Sequence, residues 1–263
     1  MNFIDFDQEK CDSCYKCLRI CPTKAISFNK DKRRIIDELC IKCGHCQESC
    51  PQGALEIHSS MSVVEKLIAK GYEVAVSIAP SFAGAFGLDD PLRVIGALKE
   101  MGVKYVEETA IGAEMVAHEY DRYIADNEQN VFITSCCPSA YYLIEQHYPY
   151  LASLIIPIVS PMIAHAKSIK SRYGEEVKVV FMGPCLAKMA EAEEVEGVVD
   201  CVITFDEFYQ KQRMSGKSLR DYEPESFDAV SYKRGKSFPM GGSLERQIKG
   251  GKTLHNIRVD GAE

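Results

Sequence analysis

Eight cysteines fall between positions 11 and 50 as two copies of the run C-x2-C-x2-C-x3-C-P. They are Cys11, Cys14, Cys17 and Cys21 before Pro22, then Cys40, Cys43, Cys46 and Cys50 before Pro51. The second copy begins 29 residues after the first, so the segment is an internal repeat. Three thiolates two residues apart on a loop can wrap three irons of one cubane, and a fourth ligand must come from elsewhere. Structural zinc is the competing reading, because paired C-x2-C units hold that ion tetrahedrally. Zinc requires neither the third cysteine at the same spacing nor the proline trailing both copies, so the pattern favours iron–sulfur chemistry.

This segment resembles a bacterial 2(4Fe-4S) ferredoxin over residues 1–58. In that type of protein the fourth cysteine of each run serves the other cluster. The resemblance therefore implies one 4Fe-4S cluster on Cys11, Cys14, Cys17 and Cys50, and a second on Cys40, Cys43, Cys46 and Cys21. Each run precedes a short apolar stretch, Lys24-Ala25-Ile26 or Gly53-Ala54-Leu55-Glu56-Ile57, read as a strand, so the halves are expected to pair about a pseudo-twofold axis. Nine basic and nine acidic residues leave the segment without net charge, which favours low reduction potentials.

The other four cysteines, Cys136, Cys137, Cys185 and Cys201, lie in a stretch that alternates strand and helix. Strands are expected at Glu73 to Ala79, Val103 to Val106, Asn130 to Ser135, Val177 to Met182 and Val198 to Thr204. Helices are expected at Pro91 to Met101, Gly112 to Ala125, Pro138 to His147, Pro161 to Arg172 and from Asp206. The fold class is α/β: a two-cluster ferredoxin module (1–58) and then a parallel-sheet domain (59–263). Ligands of parallel sheets sit beyond the carboxyl ends of the strands. Three segments are expected there: Ala79-Pro80-Ser81, Thr134 to Pro138, and Gly183-Pro184-Cys185. Adjacent cysteines before a helix suggest lowered thiol pKa values. Cys201 reads as a buried strand residue, His45 as a surface residue, the glutamates of Glu191 to Glu196 as a solvated helix end, and Ser215 to Ser226 as an irregular surface loop.

Thr134-Ser-Cys-Cys-Pro138 and Pro184-Cys-Leu-Ala-Lys-Met-Ala-Glu191 look like the first two signature loops of the iron-only (FeFe) hydrogenase large subunit. Ser77 to Ser81, Val199-Asp200 with Ile203-Thr204, and Met240-Gly241-Gly242 also resemble family positions. The resemblance implies an H-cluster, a 4Fe-4S cubane joined to a di-iron unit carrying CO and cyanide, and reversible conversion of hydrogen into protons and electrons. It implies Cys137 and Cys185 as cubane ligands, Cys136 as the proton-passing thiol and Lys188 as a donor to cyanide. Ala79, Pro80, Ser81 and Pro184 would line the cofactor. Two departures are visible. No cysteine follows Cys201, although the family's third loop carries two; two thiolates leave half a cubane unanchored, so the chain is read as truncated before that loop. The family's relay of two glutamates and a serine corresponds here to Glu119, Tyr123 and Ile156, of which Glu119 alone keeps the family's residue. That suits the sensory, slow members, whose output passes to a further C-terminal domain. A non-catalytic iron–sulfur carrier or scaffold is the alternative function.

With 46% hydrophobic and 26% charged residues the chain is expected to fold as a soluble protein, not as a disordered one. A net charge of -7, with basic residues scattered along the sequence, argues against nucleic acid. The longest apolar stretch, Leu154 to Ala166, is interrupted by Pro157, Ser160, Pro161 and His165, so no membrane span is expected. The acidic amino terminus lacks signal-peptide order, so a cytoplasmic location is expected, with a redox protein or small electron carrier as partner.

Overall fold

The computed structural model describes residues 4–29, 32–129, 131–231 and Gly235. Met240 to Gly242 and Val259 to Glu263 lie outside the described residues. The amino-terminal repeat builds two antiparallel ribbons, β1 (Ile4–Phe6) with β4 (Leu55–Ile57) and β2 (Ile26–Asn29) with β3 (Lys32–Ile35). Short helices α1 (Lys16–Ile20) and α2 (His45–Glu48) carry the cysteine loops. The pseudo-twofold extends to individual dihedral angles. Left-handed φ values recur 29 residues apart: Ser13 (62°) and Lys42 (58°), Tyr15 (59°) and Gly44 (82°), Lys24 (55°) and Gly53 (60°). Four of these six residues, Ser13, Lys42, Tyr15 and Lys24, have a side chain, which carries a steric cost in that region. Both halves accept that cost in order to wrap their cysteines.

Beyond α3 (Met61–Ala69), four parallel strands form a sheet in the order β6 (Tyr105–Glu108), β5 (Val74–Ile78), β7 (Lys178–Gly183), β8 (Cys201–Thr204). Strand residues alternate faces. Val74, Val76, Ile78, Val180 and Met182 point into a core with α3, α5 (Arg93–Glu100) and α10 (Phe205–Met214), whereas Ala75, Val179 and Phe181 point to α8 (Pro161–Tyr173). That second core continues without a break into Ile4, Cys17, Cys21, Ile26, Ile35 and Leu55, which welds the cysteine-rich repeat onto the sheet. Glu207 strengthens the joint: it closes a capping box with Thr204 at the start of α10 and also accepts from the amide of Ser60 at 2.7 Å.

The chain runs from β5 outward to β6, then returns through α6 (Ala110–Asp126), α7 (Pro138–His147) and α8 to β7 on the other side of β5. The direction of winding therefore reverses between β5 and β7, and a crevice opens at such a point.

Two expectations need correction. Residues 131–135 are not a sheet strand: Ile133 makes one isolated parallel bridge to Ile155, because Phe132 and Ile158 pack on α6 with Val116 and Tyr120 and not at the sheet edge. The 215–226 stretch is anchored, with a 3-10 turn at Leu219–Asp221 and with Leu219 and Tyr222 buried in the core. Glu193, Glu194 and Glu196 are exposed at the end of α9 (Ala187–Glu194) as expected, while Glu191 pairs with Lys188 and Glu194 accepts from the hydroxyl of Tyr142. Cys201 is buried as expected; burial pushes its thiol up to about 12 and it donates weakly to the carbonyl of Ser60.

Candidate metal centres

The eight cysteines of the repeat gather into two groups of four that do not follow sequence order. The neighbours that, after burial, hold the Cys17 thiol above its ordinary value are Cys11, Cys50 and Cys14. Cys46, pushed up to about 12 chiefly by burial, has Cys40, Cys43 and Cys21 around it. Cys40 and Cys43 likewise face Cys21. The fourth cysteine of each run thus sits with the other run. The backbone is matched too, since Ala25 donates its amide to Cys21 Sγ at 3.2 Å and Ala54 donates to Cys50 Sγ at 3.3 Å. Such N–H···S bonds stabilise thiolate and tune cluster potential.

Among the described residues no three His, Cys, Asp or Glu side chains converge closely enough to hold a single metal ion. Two groups of four thiols match the ligand count of two 4Fe-4S cubanes. Burial that disfavours bare thiolate is offset when cationic irons arrive, with release of protons.

A third cysteine group lies at the crevice between β5 and β7. Cys185 follows β7 directly, and the thiol of Cys137, the N-cap of α7, acts on it electrostatically. Cys136 adjoins Cys137, and its thiol feels the ammonium of Lys188. Lys188 itself is buried; its Nζ donates to the carbonyl of Cys136 at 3.4 Å and pairs with Glu191 at 2.7 Å. Ala79 is held to the end of β7 by its amide's bond to the carbonyl of Met182, and it faces Gly183, where an added Cβ would come within 3.1 Å. Pro80 is half-buried, while Ser81 and Pro184 are exposed at the rim.

Lowered thiol pKa values are not found. Cys136 and Cys185 are both raised, first by burial, which outweighs the lowering by Lys188. Nor does Glu119 turn inward. It is exposed on α6 in an ion pair with Arg122, while Tyr123 packs on Phe132 and Ile156 is fully buried among apolar side chains.

Tyr120, next to Glu119, is the residue of α6 that reaches the cysteine loop, and the sequence reading missed it. Its buried hydroxyl accepts from the amide of Ser135 at 3.0 Å and donates to Ser135 Oγ, which in turn donates to the carbonyl of Ile158. Burial and the nearby Cys136 raise its pKa. A tyrosine at a helical core position carries no sequence signal for this task.

The second cysteine group and this third one share an apolar cluster: Ile41 and Cys43 from the repeat meet Tyr142, Ala187, Ala190 and Cys185. Gly44 makes that approach close, since a Cβ there would lie 2.8 Å from Leu186 Cδ1. Gly44→Ala is therefore expected to lower stability by roughly 1–3 kcal/mol, from both left-handed strain and overlap. Gly53→Ala carries the strain alone, because nothing lies within 4 Å of its added Cβ. Equal losses for the two variants in chemical denaturation would mean that Leu186 yields freely.

Family comparison agrees with this arrangement. Residues 3–62 match the 4Fe-4S dicluster domain, and residues 72–260 match the iron only hydrogenase large subunit, C-terminal domain. The chain is 26% identical to the NADP-reducing hydrogenase subunit HndD of Solidesulfovibrio fructosivorans, over 85% of this chain and 46% of that protein. It is 31% identical to iron hydrogenase 1 of Clostridium pasteurianum, over 75% of this chain and 42% of the relative. It therefore spans less than half the length of these relatives. A cytosolic Fe-S cluster assembly factor of Xenopus tropicalis is 23% identical over 88% of this chain and 58% of its own. In structure, a variant of the [FeFe]-hydrogenase HydA1 of Chlamydomonas reinhardtii superposes with a TM-score of 0.58 at 23% identity, covering 65% of this chain and 50% of that one. No helix among the described residues is long and apolar enough to cross a membrane. With a dicluster segment on one side of the shared apolar cluster and a further cysteine group on the other, this chain belongs to the iron-only hydrogenase large subunit family and is an iron–sulfur electron-transfer protein.

Proposed function

We propose that this chain relays single electrons from the Cys11, Cys14, Cys17, Cys50 group through the Cys40, Cys43, Cys46, Cys21 group to an H-cluster-type site at Cys137 and Cys185. The observation that carries the reading is the shared packing of Cys43 and Cys185, because electron transfer requires that relay and site adjoin. When bound, the H-cluster supplies reversible hydrogen–proton chemistry. The chain's own residues do the rest. Ala79, Pro80, Ser81 and Pro184 bound the crevice, and buried Lys188, neutralised by Glu191, offers a charged donor to an anionic ligand. The Cys136 thiol, beside Cys137 and within reach of the charge of Lys188, is the group placed to carry a proton at the crevice. With Glu119 turned outward to Arg122, that proton has no carboxylate of α6 at positions 119 or 123 to continue through. A slow, sensory role is supported over rapid turnover, with the output passing to a further domain or partner. The twelve cysteines, free in this structure, suit the reducing cytoplasm.

The test is to mature the natural polypeptide containing these residues anaerobically and record its infrared spectrum. Bands of bound CO and cyanide are expected, vanishing in Cys185→Ser while both relay clusters persist, and hydrogen turnover is expected to be slow. Absence of the bands from the matured protein favours the alternative, a non-catalytic carrier or scaffold, which the similarity to a relative named as an assembly factor supports.

A further inference from the structure

Cys136 and Cys137 are adjacent in the chain, yet their thiols have different neighbours. Cys137, in extended backbone (φ -103°, ψ 111°), is exposed, and its thiol acts on that of Cys185. The thiol of Cys136 is bonded by the side chain of Thr134, feels the ammonium of Lys188 and acts on the phenol of Tyr120. Consecutive residues of an extended segment project to opposite sides, so a slip of one residue or a turn of the segment about its axis would exchange the two thiols. Residues 134–137 belong to no helix or strand, so no ladder of their own sets that rotation. The segment is pinned from outside. Ile133 is tied to the 154–156 stretch, its amide to the carbonyl of Leu154 and its carbonyl to the amide of Ile156, both at 2.8 Å. Lys188 Nζ reaches the carbonyl of Cys136 at 3.4 Å. Between these two points the Tyr120 hydroxyl holds Ser135 twice, accepting from its amide at 3.0 Å and donating to its Oγ at 3.2 Å, while that Oγ donates to the carbonyl of Ile158 at 2.6 Å. The Tyr120 ring is fully buried against Val116, Ile124, Ile156 and Ala164, which keeps its hydroxyl in place.

We infer that Tyr120 is a positioning residue that decides which of the two adjacent cysteines faces Cys185: its hydroxyl, through Ser135, turns Cys137 into the crevice and keeps Cys136 back beside Lys188 as the unligated thiol. The two cysteines have the same chemistry, so the difference in their roles must come from what holds the segment. Tyr120 supplies it from α6, by fixing the chain at the residue from which Cys136 follows. The assignment rests on the roles proposed above for Cys137 as ligand and Cys136 as proton-carrying thiol, but the hold on Ser135 is measurable whether or not an H-cluster assembles.

The experiment uses the natural polypeptide containing these residues, purified anaerobically with its clusters loaded. Tyr120→Phe keeps the buried ring and removes the hydroxyl, which leaves the Ser135 amide without its acceptor. Hydrogen exchange at Ser135 should quicken by about tenfold. Alkylation of the Cys136 thiol by iodoacetamide, read by peptide mass spectrometry, should quicken with it, and label confined to Cys136 in the parent should appear on Cys137 as well. Cys201, buried in a different part of the core, should keep its parent rate of labelling because the packing of the ring is retained. Ser135→Ala keeps the amide bond to Tyr120 and should disturb Cys136 less than Tyr120→Phe does. Parent-like exchange and labelling in Tyr120→Phe would overturn the assignment. So would Cys201 labelling that rises in step with Cys136, which would mean that the whole chain has loosened, or a segment released as fully by Ser135→Ala. Label on Cys137 in the parent itself would count against a cubane at that residue and leave the exchange at Ser135 and the labelling of Cys136 to decide the role of Tyr120.

Discussion

Replacing Cys50 with serine removes the cluster built on Cys11, Cys14 and Cys17 and leaves the Cys40, Cys43, Cys46, Cys21 cluster in place. Loaded iron falls from about eight to about four per chain. The expectation follows from position: Cys50 stands beside Cys17, with Cys11 and Cys14, although it belongs by sequence to the second run. Serine's hydroxyl is a poor ligand for iron, and the amide of Ala54 that now donates to Cys50 Sγ is left with a neutral hydroxyl in its place. Cys21→Ser should mirror this, sparing the first group and damaging the second, where the amide of Ala25 is the matching donor. Because Cys17, Cys21, Cys46 and Cys50 are packed into the core that joins the repeat to the sheet, cluster loss should also lower the melting temperature. Paramagnetic spectra of the reduced variants decide the matter. If Cys50→Ser perturbed only the signal of the Cys40 group, each run would be self-sufficient and the crossed ligation would be wrong.

His165→Ala is expected to destabilise the chain by about 3–5 kcal/mol. His165 is fully buried on α8 and links three elements: its Nδ1 meets Ser77 Oγ of β5 at 2.8 Å, and its Nε2 meets Glu107 Oε2 of β6 at 3.0 Å. Thr109 Oγ1 extends the chain from Ser77 at 2.7 Å, and Arg172 and Tyr173 donate to the other oxygen of Glu107. The ring thus bridges the Ser77 hydroxyl of one strand and the Glu107 carboxylate of the next. Alanine leaves a cavity, strips one partner from the buried carboxylate and takes a hydrogen-bond partner from Ser77. Gly112 allows the close crossing that puts His165 there, since an added Cβ would lie 2.7 Å from the His165 Cβ.

The same network has a pH signature. Burial raises the pKa of Glu107, but the bonds from His165 and Tyr173 and the charge of Arg172 outweigh it, and the carboxyl titrates below its ordinary value of 4.5. A carboxyl with a depressed folded-state pKa contributes stability above its unfolded value, and that contribution is lost as pH falls through the folded value. Glu107→Gln should therefore remove part of the acid limb of the stability profile below about pH 4.5 and lower stability at neutral pH. A variant whose acid limb matches the parent's would show that Glu107 is not ionised in the fold.

The chemistry of the cysteines was legible in the sequence because ligand type and spacing are local properties. Two runs of C-x2-C-x2-C-x3-C-P name the clusters whatever surrounds them, and Pro138 and Pro161 at the first turn of α7 and α8 mark helix starts that the structure keeps. The β-branched and apolar runs likewise announced β5 and β7, since a strand buried on both faces needs an apolar residue at nearly every position. What the tertiary structure alone decided is which groups meet. The β-branched run at 131–135 has the composition of a strand, yet it packs on α6, because the fit of Phe132 and Ile158 against Val116 and Tyr120 is a long-range property. Whether Glu119 or Tyr120 faces the cysteine loop depends on the rotation of α6, which its close crossing with α8 sets through Gly112. Thiol pKa values ran opposite to the local expectation because burial, a sum over distant segments, exceeds one helix end and one lysine. The Ser77–His165–Glu107 network joins residues up to 88 positions apart, and no spacing rule could have found it.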